Sequence, residues 1–245
     1  MFDYFILGAL QGIFEWLPIS SEGVLVLAQI FLFGQATSLN QMINLALFLH
    51  IGSLLAVIIY FKKDFLALIK VFFNYKTSTK EQKSFLNFII ISSFFTGIVG
   101  IIIYKTLDQF DGKILHFTGA TIMILIGFLL FITAGLQYLA KKQNNQILRD
   151  IEHLKIKDSI ITGIIQGFAV LPGLSRSGST VSTLLLLKIK ESDALKISFF
   201  MGLPIIFGGN IILNLGMIKA GPNEIVGLVS AFIFSILTIH LLLKL

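Results

Sequence analysis

The amino-acid sequence predicts an all-α polytopic membrane protein built from two inverted-topology repeats, each a re-entrant broken helical hairpin followed by transmembrane helices. Three observations carry this. Of the 245 residues, 56% are hydrophobic and only 13% charged, with a mean hydropathy of +0.90, outside the range of a soluble domain. The apolar residues gather into runs of about the 20 residues that a bilayer-spanning helix needs. Two further apolar regions are each broken near the middle by Pro, Ser, Gly and charged residues.

Along the chain, the first broken region covers about 4 to 33, and continuous runs follow at 42 to 61, 85 to 104 and 115 to 139. The second broken region covers about 159 to 188 and is followed by runs at 197 to 216 and 224 to 243. Five full spans result, in a single membrane domain over 1–245, with repeat one at about 1–140 and repeat two at about 158–245. Lipid offers no water to free backbone groups, so a break at membrane depth is tolerated only where protein or a hydrated cavity surrounds it. Both breaks therefore mark the interior. The opening Met-Phe-Asp-Tyr-Phe lacks a basic n-region, so the first apolar stretch is expected to stay in the mature chain.

Net charge is +6, but the lysines sit in short loops between apolar runs, which is an orientation signal and not a nucleic-acid footprint. Lys62, Lys63, Lys70, Lys76, Lys80 and Lys83 share one loop, and Lys141, Lys142, Arg149, Lys155 and Lys157 another, two spans later. Placing both inside puts Lys188, Lys190, Lys196 and Lys244 inside as well and leaves only Lys105, Lys113 and Lys219 outside. The reading is a multi-pass protein of the cell (plasma) membrane, N-terminus outside and C-terminus cytoplasmic, with hairpins entering from opposite faces. Cysteine is absent, which removes thiol catalysis, thiolate metal sites and disulfides.

The hairpins also agree in sequence. Gly8-Ala9-Leu10-Gln11-Gly12 aligns with Gly163-Ile164-Ile165-Gln166-Gly167, and Ser20-Ser21-Glu22-Gly23 with Ser175-Arg176-Ser177-Gly178, at one constant offset. Repeats of opposite topology place a site at their interface near the bilayer midplane. The second repeat is one span shorter than the first.

Inside the hairpins the charged side chains are Glu15, Glu22 and Arg176. An ionised group at the centre of a membrane helix costs roughly 2.5 to 3.5 kcal/mol on insertion scales, and clustering an Arg with carboxylates relieves much of that. The two hairpins are therefore read as one site. Ser175, Arg176, Ser177, Gly178 and Thr180 lie where a helix begins. Free N–H groups, hydroxyls and a guanidinium there make a phosphate cradle. The spacing from Gly173 to Thr180 resembles a nucleotide P-loop, but Ser179 stands where that motif needs Lys, so a nucleotide is excluded. Gln11 and Glu15, four apart, share a helical face, suited to a general base or to a divalent cation bridging phosphate oxygens. Ser21 is the candidate nucleophile or phosphate donor. Glu22 sits at a turn, where favouring the helix dipole is an alternative role. His50 enters as a secondary candidate, because a lone His in an apolar helix is more often a structural hydrogen-bonder.

At these residues the chain resembles the undecaprenyl-pyrophosphate phosphatase, or bacitracin-resistance, family. Gln11-Gly12, Glu15-Trp16-Leu17-Pro18, Ser20-Ser21 and Gly23 match its first signature, and Pro172 to Thr180 its second. Leu49-His50-Ile51-Gly52-Ser53-Leu54-Leu55-Ala56 looks like its first full span. The resemblance implies removal of the terminal phosphate of undecaprenyl (polyprenyl) diphosphate, regenerating the lipid carrier of cell-envelope synthesis. Glu15, Ser21 and Arg176 would be catalytic, and Mg²⁺ or Ca²⁺ would be held by Glu15 and Gln11. The expected partners are the polyprenyl diphosphate and the bilayer, not nucleic acid, and the oligomeric state is left open, a homodimer being one candidate.

Two departures stand out. Val24 occupies the position of the family's His, with Glu22 in place of a small residue beside it, and the family's last span is absent beyond Leu245. Either Glu22, His50 or a metal-bound water takes over proton transfer, or hydrolysis is lost and the site serves a polyprenyl-phosphate flippase or a non-hydrolytic lipid-phosphate binder.

Overall fold

The computed structural model describes residues 1–33, 39–111, 119–142, 148–171, 173–214 and 221–244, and the described part is helical apart from turns and one isolated bridge. Pro172, Lys113 and Lys219, used in the sequence reading, lie outside the described residues. The helices are α1 (Phe2–Phe14), α2 (Ser21–Phe31), α3 (Leu39–Tyr60), α4 (Lys62–Phe73), α5 (Lys80–Asp111), α6 (Gly119–Lys142), α7 (Ile156–Gly167), α8 (Arg176–Leu186), α9 (Glu191–Asn214) and α10 (Pro222–Leu242).

Four of them, α5, α6, α9 and α10, are long and apolar enough to cross a membrane, and α3 with α4 makes a fifth candidate bent by 84°. The broken regions form α1–α2 and α7–α8, whose helices have 13, 11, 12 and 11 residues. Each is about 16–20 Å long, too short to span alone. One segment differs from expectation. The lysine-rich stretch after α3 is not all loop, because Phe65, Leu66, Leu68, Ile69, Val71 and Phe72 recur at helical spacing and form α4.

Local chemistry sets the ends. α5 starts at a capping box in which Thr79 N donates to Gln82 Oε1 (3.0 Å) and Gln82 N to Thr79 Oγ1 (3.3 Å). α10 starts with Pro222, whose missing N–H would be unpaired there in any case. α8 ends in a Schellman turn: Ile189 N donates to Leu184 O (3.0 Å) and Lys188 N to Leu185 O (2.8 Å). Lys188 takes the left-handed conformation there, with φ 64°. Ile189 and Leu184, both fully buried, supply the apolar contact that accompanies such a turn.

The chain divides into two compact units, Met1–Phe65 with Gly202–Leu245, and Leu66–Met201. In the first, α1 packs on α10, and α10 on α3. Between helices in lipid the drive is close packing, which favours small residues. A Cβ on Gly8 would lie 2.1 Å from Gly227 O, one on Gly12 2.5 Å from Ala231 O, and one on Gly52 2.4 Å from Leu228 O. Hydroxyls staple the same seam, Ser230 Oγ donating to Phe5 O (2.8 Å) and Ser235 Oγ to Ser53 Oγ (2.9 Å). In the second unit α7 packs on α5 in the same manner. A Cβ on Gly163 would lie 2.4 Å from Ser92 O, and Thr96 Oγ1 donates to Gly163 O (2.9 Å). α8 packs on α6, where Gly173, at φ +109°, approaches the Ile126 backbone as only glycine can.

Gly8→Ala tests the seam. Helix propensity alone favours Ala by about 1 kcal/mol, whereas forcing a methyl against a backbone carbonyl costs about 1–3 kcal/mol or more. The clash wins, and the detergent-solubilised protein is expected to melt at a lower temperature than the parent. A raised melting temperature would show that α1 and α10 are not so closely apposed.

Candidate functional site

In the first unit α1 closes at Glu15, whose backbone N–H donates to Gln11 O (3.0 Å), so Gln11 lies one turn below it on the same face. Three polar groups then converge on a single carboxylate oxygen. Glu15 Oε2 receives Gln11 Nε2 at 2.9 Å and Ser21 Oγ at 2.8 Å, and His50 Nε2 stands 3.0 Å away. All four side chains are buried: Gln11 0%, Glu15 4%, Ser21 7% and His50 7% exposed.

The second ring nitrogen of His50 determines what that contact is. Nδ1 lies 2.6 Å from Ala46 O, a carbonyl that can only accept, so Nδ1 carries a hydrogen. Nε2 and Glu15 Oε2 then face each other as two acceptors unless one proton lies between them. The pair holds that proton, either as imidazolium with carboxylate or as imidazole with carboxylic acid. Ser21, the first residue of α2, directs its own proton at the same oxygen.

Gln11 Oε1 is buried with no hydrogen-bond partner, an acceptor oxygen beside a carboxylate. Ser20 caps α2, its side chain accepting from Gly23 N at 3.2 Å. Glu22 lies in the first turn, half-buried.

In the second unit the same cap recurs at the aligned position. Ser175 Oγ accepts from Gly178 N at 3.0 Å, and Ser175 N donates to Thr133 Oγ1 on α6 at 3.2 Å. Ser175 Oγ and Ser177 Oγ are 3.4 Å apart. Arg176, at the position corresponding to Ser21, donates from Nη1 to Ser198 O at 3.1 Å. Thr180 Oγ1 donates to Arg176 O at 2.8 Å and lies 2.6 Å from Ser198 Oγ, so its hydroxyl serves α8 and α9. The two N-termini thus share backbone geometry and differ in charge. That of α2 meets the chain's own carboxylate through Ser21, whereas that of α8 carries a guanidinium.

The structure therefore assembles Gln11, Glu15, Ser21 and His50 in one unit, and Ser175, Arg176, Ser177, Gly178 and Thr180 in the other. His50, a secondary candidate in the sequence, is placed at the carboxylate by the structure. One participant lies beyond the motifs. Ser198, fully buried on α9, carried no signal except a serine in an apolar run.

The family model described as "Bacitracin resistance protein BacA" matches residues 4–245 of this chain. A protein of Methanococcoides burtonii named undecaprenyl-diphosphatase is 38% identical over 243 residues, covering 98% of this chain and 88% of the relative. One of the same name from Methanothrix thermoacetophila is 34% identical over 246 residues, covering 98% and 86%. Another from Syntrophotalea carbinolica is 34% identical over 244 residues, covering 97% and 87%.

Proposed function

The chain belongs to the bacitracin resistance protein BacA family, and from that premise we propose that it is an undecaprenyl-diphosphatase, a multi-pass membrane enzyme that hydrolyses the terminal phosphate of undecaprenyl diphosphate. The products are undecaprenyl phosphate, the carrier lipid of cell-envelope synthesis, and inorganic phosphate. The observation that supports hydrolysis over transport is the convergence of Ser21, His50 and Gln11 on Glu15 Oε2. A nucleophile hydrogen-bonded to a base that a third group orients is the pattern of an activated attack. A carrier that only moves the lipid has no use for it.

In this reading Arg176 and the first N–H groups of α8 grip the diphosphate, stabilising charge on the phosphoryl oxygens as the P–O bond breaks. Ser21 Oγ, its proton already aimed at Glu15, attacks the terminal phosphorus. The bridging P–O bond cleaves to release the monophosphate lipid, and water then hydrolyses the phosphoserine. Glu15 with His50 accepts and returns the proton. His50 thereby takes the role that the absent imidazole at Val24 would have had, reaching the carboxylate from α3 and not from α2.

A divalent cation, Mg²⁺ or Ca²⁺, belongs to the same proposal. Hard cations take oxygen donors and often complete their shell with substrate phosphate oxygens. The Glu15 carboxylate and the unpartnered Gln11 Oε1 fit that need, while no group of three His, Cys, Asp or Glu among the described residues could hold a metal by itself. When bound, the cation would neutralise phosphate charge. The matching caps of α2 and α8 support an internal repeat. The lysine distribution supports inverted hairpins, with the N-terminus outside.

The test is phosphate release from undecaprenyl diphosphate by the purified protein in detergent, with Mg²⁺, Ca²⁺ or EDTA. Release that needs the cation is expected. Tight binding of the lipid without release would sink the enzyme and leave a flippase as the reading. Release undiminished in EDTA would remove the cation and leave the protein groups to act alone. Ser21→Ala is expected to lose the phosphoenzyme, and full activity in that variant would assign attack to water.

A further inference from the structure

We propose that α4 is an in-plane anchor that docks on an anionic lipid surface, its apolar stripe in the outer acyl region and its lysines among the phosphate headgroups. The helix has 12 residues, Lys62–Phe73. At about 18 Å it cannot cross a hydrocarbon core of about 30 Å. It follows α3 after one residue, with a bend of 84°. The apolar run of α3 closes at Tyr60-Phe61-Lys62-Lys63, an aromatic–basic sequence of the kind that marks the membrane–water boundary. α4 thus starts at headgroup depth and turns away from the direction of crossing.

Its two faces differ. Val71 is 3% exposed and packs inward, whereas Leu66, Ile69, Phe72 and Phe73 are 56%, 40%, 62% and 77% exposed. At 100° per residue these four share one stripe, bordered on one side by Lys63 and Lys70, while Lys62 opens the helix within the stripe at its boundary end; all three lysines are exposed. A soluble surface would not carry four large exposed apolar residues on three turns, while an interfacial helix carries that stripe beside a basic edge. Charge complementarity selects the occupant. Downstream, Lys80 already meets Glu152 at 3.3 Å and Lys83 the Lys76 carbonyl at 3.0 Å. The lysines of α4 point to an external anion, and each adds attraction to an anionic leaflet.

The chain has no cysteine, so single cysteines at positions 66, 69, 70, 72 and 73 can be labelled cleanly with an environment-sensitive fluorophore in the full protein, reconstituted in nanodiscs of phosphatidylcholine with or without phosphatidylglycerol. Labels at 66, 69, 72 and 73 are expected to be quenched by shallow acyl-chain quenchers and shielded from iodide, and the label at 70 to show the reverse. Energy transfer from position 72 to fluorescent phosphatidylglycerol is expected to exceed that to fluorescent phosphatidylcholine, and to fall to the phosphatidylcholine level when Lys62, Lys63 and Lys70 are all changed to Gln. Iodide reaching every position would place α4 in water or under a soluble partner and overturn the proposal. Deep acyl quenching at every position, 70 included, would make α4 the second half of a broken span and overturn it equally. An unchanged lipid preference in the triple variant would remove the anionic surface.

Discussion

Arg176→Ala is expected to lower the turnover of undecaprenyl diphosphate by about 10³–10⁵-fold, the range in which an arginine stabilises a phosphoryl-transfer transition state. Its guanidinium is the only cationic side chain within the two hairpin breaks and stands at the first residue of α8, beside N–H groups whose dipole has the same sign. Nη1 is held by Ser198 O at 3.1 Å, so the side chain is oriented before substrate arrives. Arg176→Lys keeps the charge but loses the planar fork that meets two phosphate oxygens at once, and recovers only part of the rate. The loss is expected in kcat more than in KM, because charge gathers on the phosphoryl oxygens as the bond breaks. The melting temperature serves as control, since the variant also leaves Ser198 O without that donor. Turnover within tenfold of the parent in a well-folded Arg176→Ala protein would show that the phosphate is gripped elsewhere.

Glu15→Gln comes second, with an expected loss of about 10²–10⁴-fold, the usual contribution of a positioned proton acceptor. The replacement is isosteric and keeps an oxygen for Ser21 to donate to, so packing around the buried site is preserved while basicity is lost. His50 loses the partner with which it holds a proton 3.0 Å from Oε2. Glu15 and His50 are read as a unit, so His50→Gln in the Glu15→Gln background should cost little beyond either change alone, whereas independent roles would multiply. A fully multiplicative double variant would separate His50 from proton transfer and return it to a structural hydrogen bond on Ala46 O.

The elements of the fold were largely legible from composition and spacing. The runs at 42–61, 85–104 and 224–243 correspond to α3, α5 and α10, because lipid demands continuous apolar helices and leaves few alternatives. The hairpin breaks were legible too. Ser20 and Ser175 are capping residues followed three positions later by Gly23 and Gly178, and both make the cap in the structure. α4 is hard to see in the sequence, where its lysines outweigh an apolar periodicity only three turns long.

The sequence by itself determined the long apolar helices, the two capped breaks and the residue types gathered there, since each follows from local backbone chemistry or from the cost of charge in lipid. Only the tertiary structure decided which groups meet. α3 is apolar on every side, so nothing in its periodicity says that His50 faces Glu15, 35 positions away by number (50 − 15). Nor does α10 announce that its Gly227 lies under Gly8 from the other end of the chain. A helix solvated by lipid carries no polar face to orient it, so the choice of inward side passes to close packing and to a few buried hydrogen bonds, which exist only once the helices are side by side.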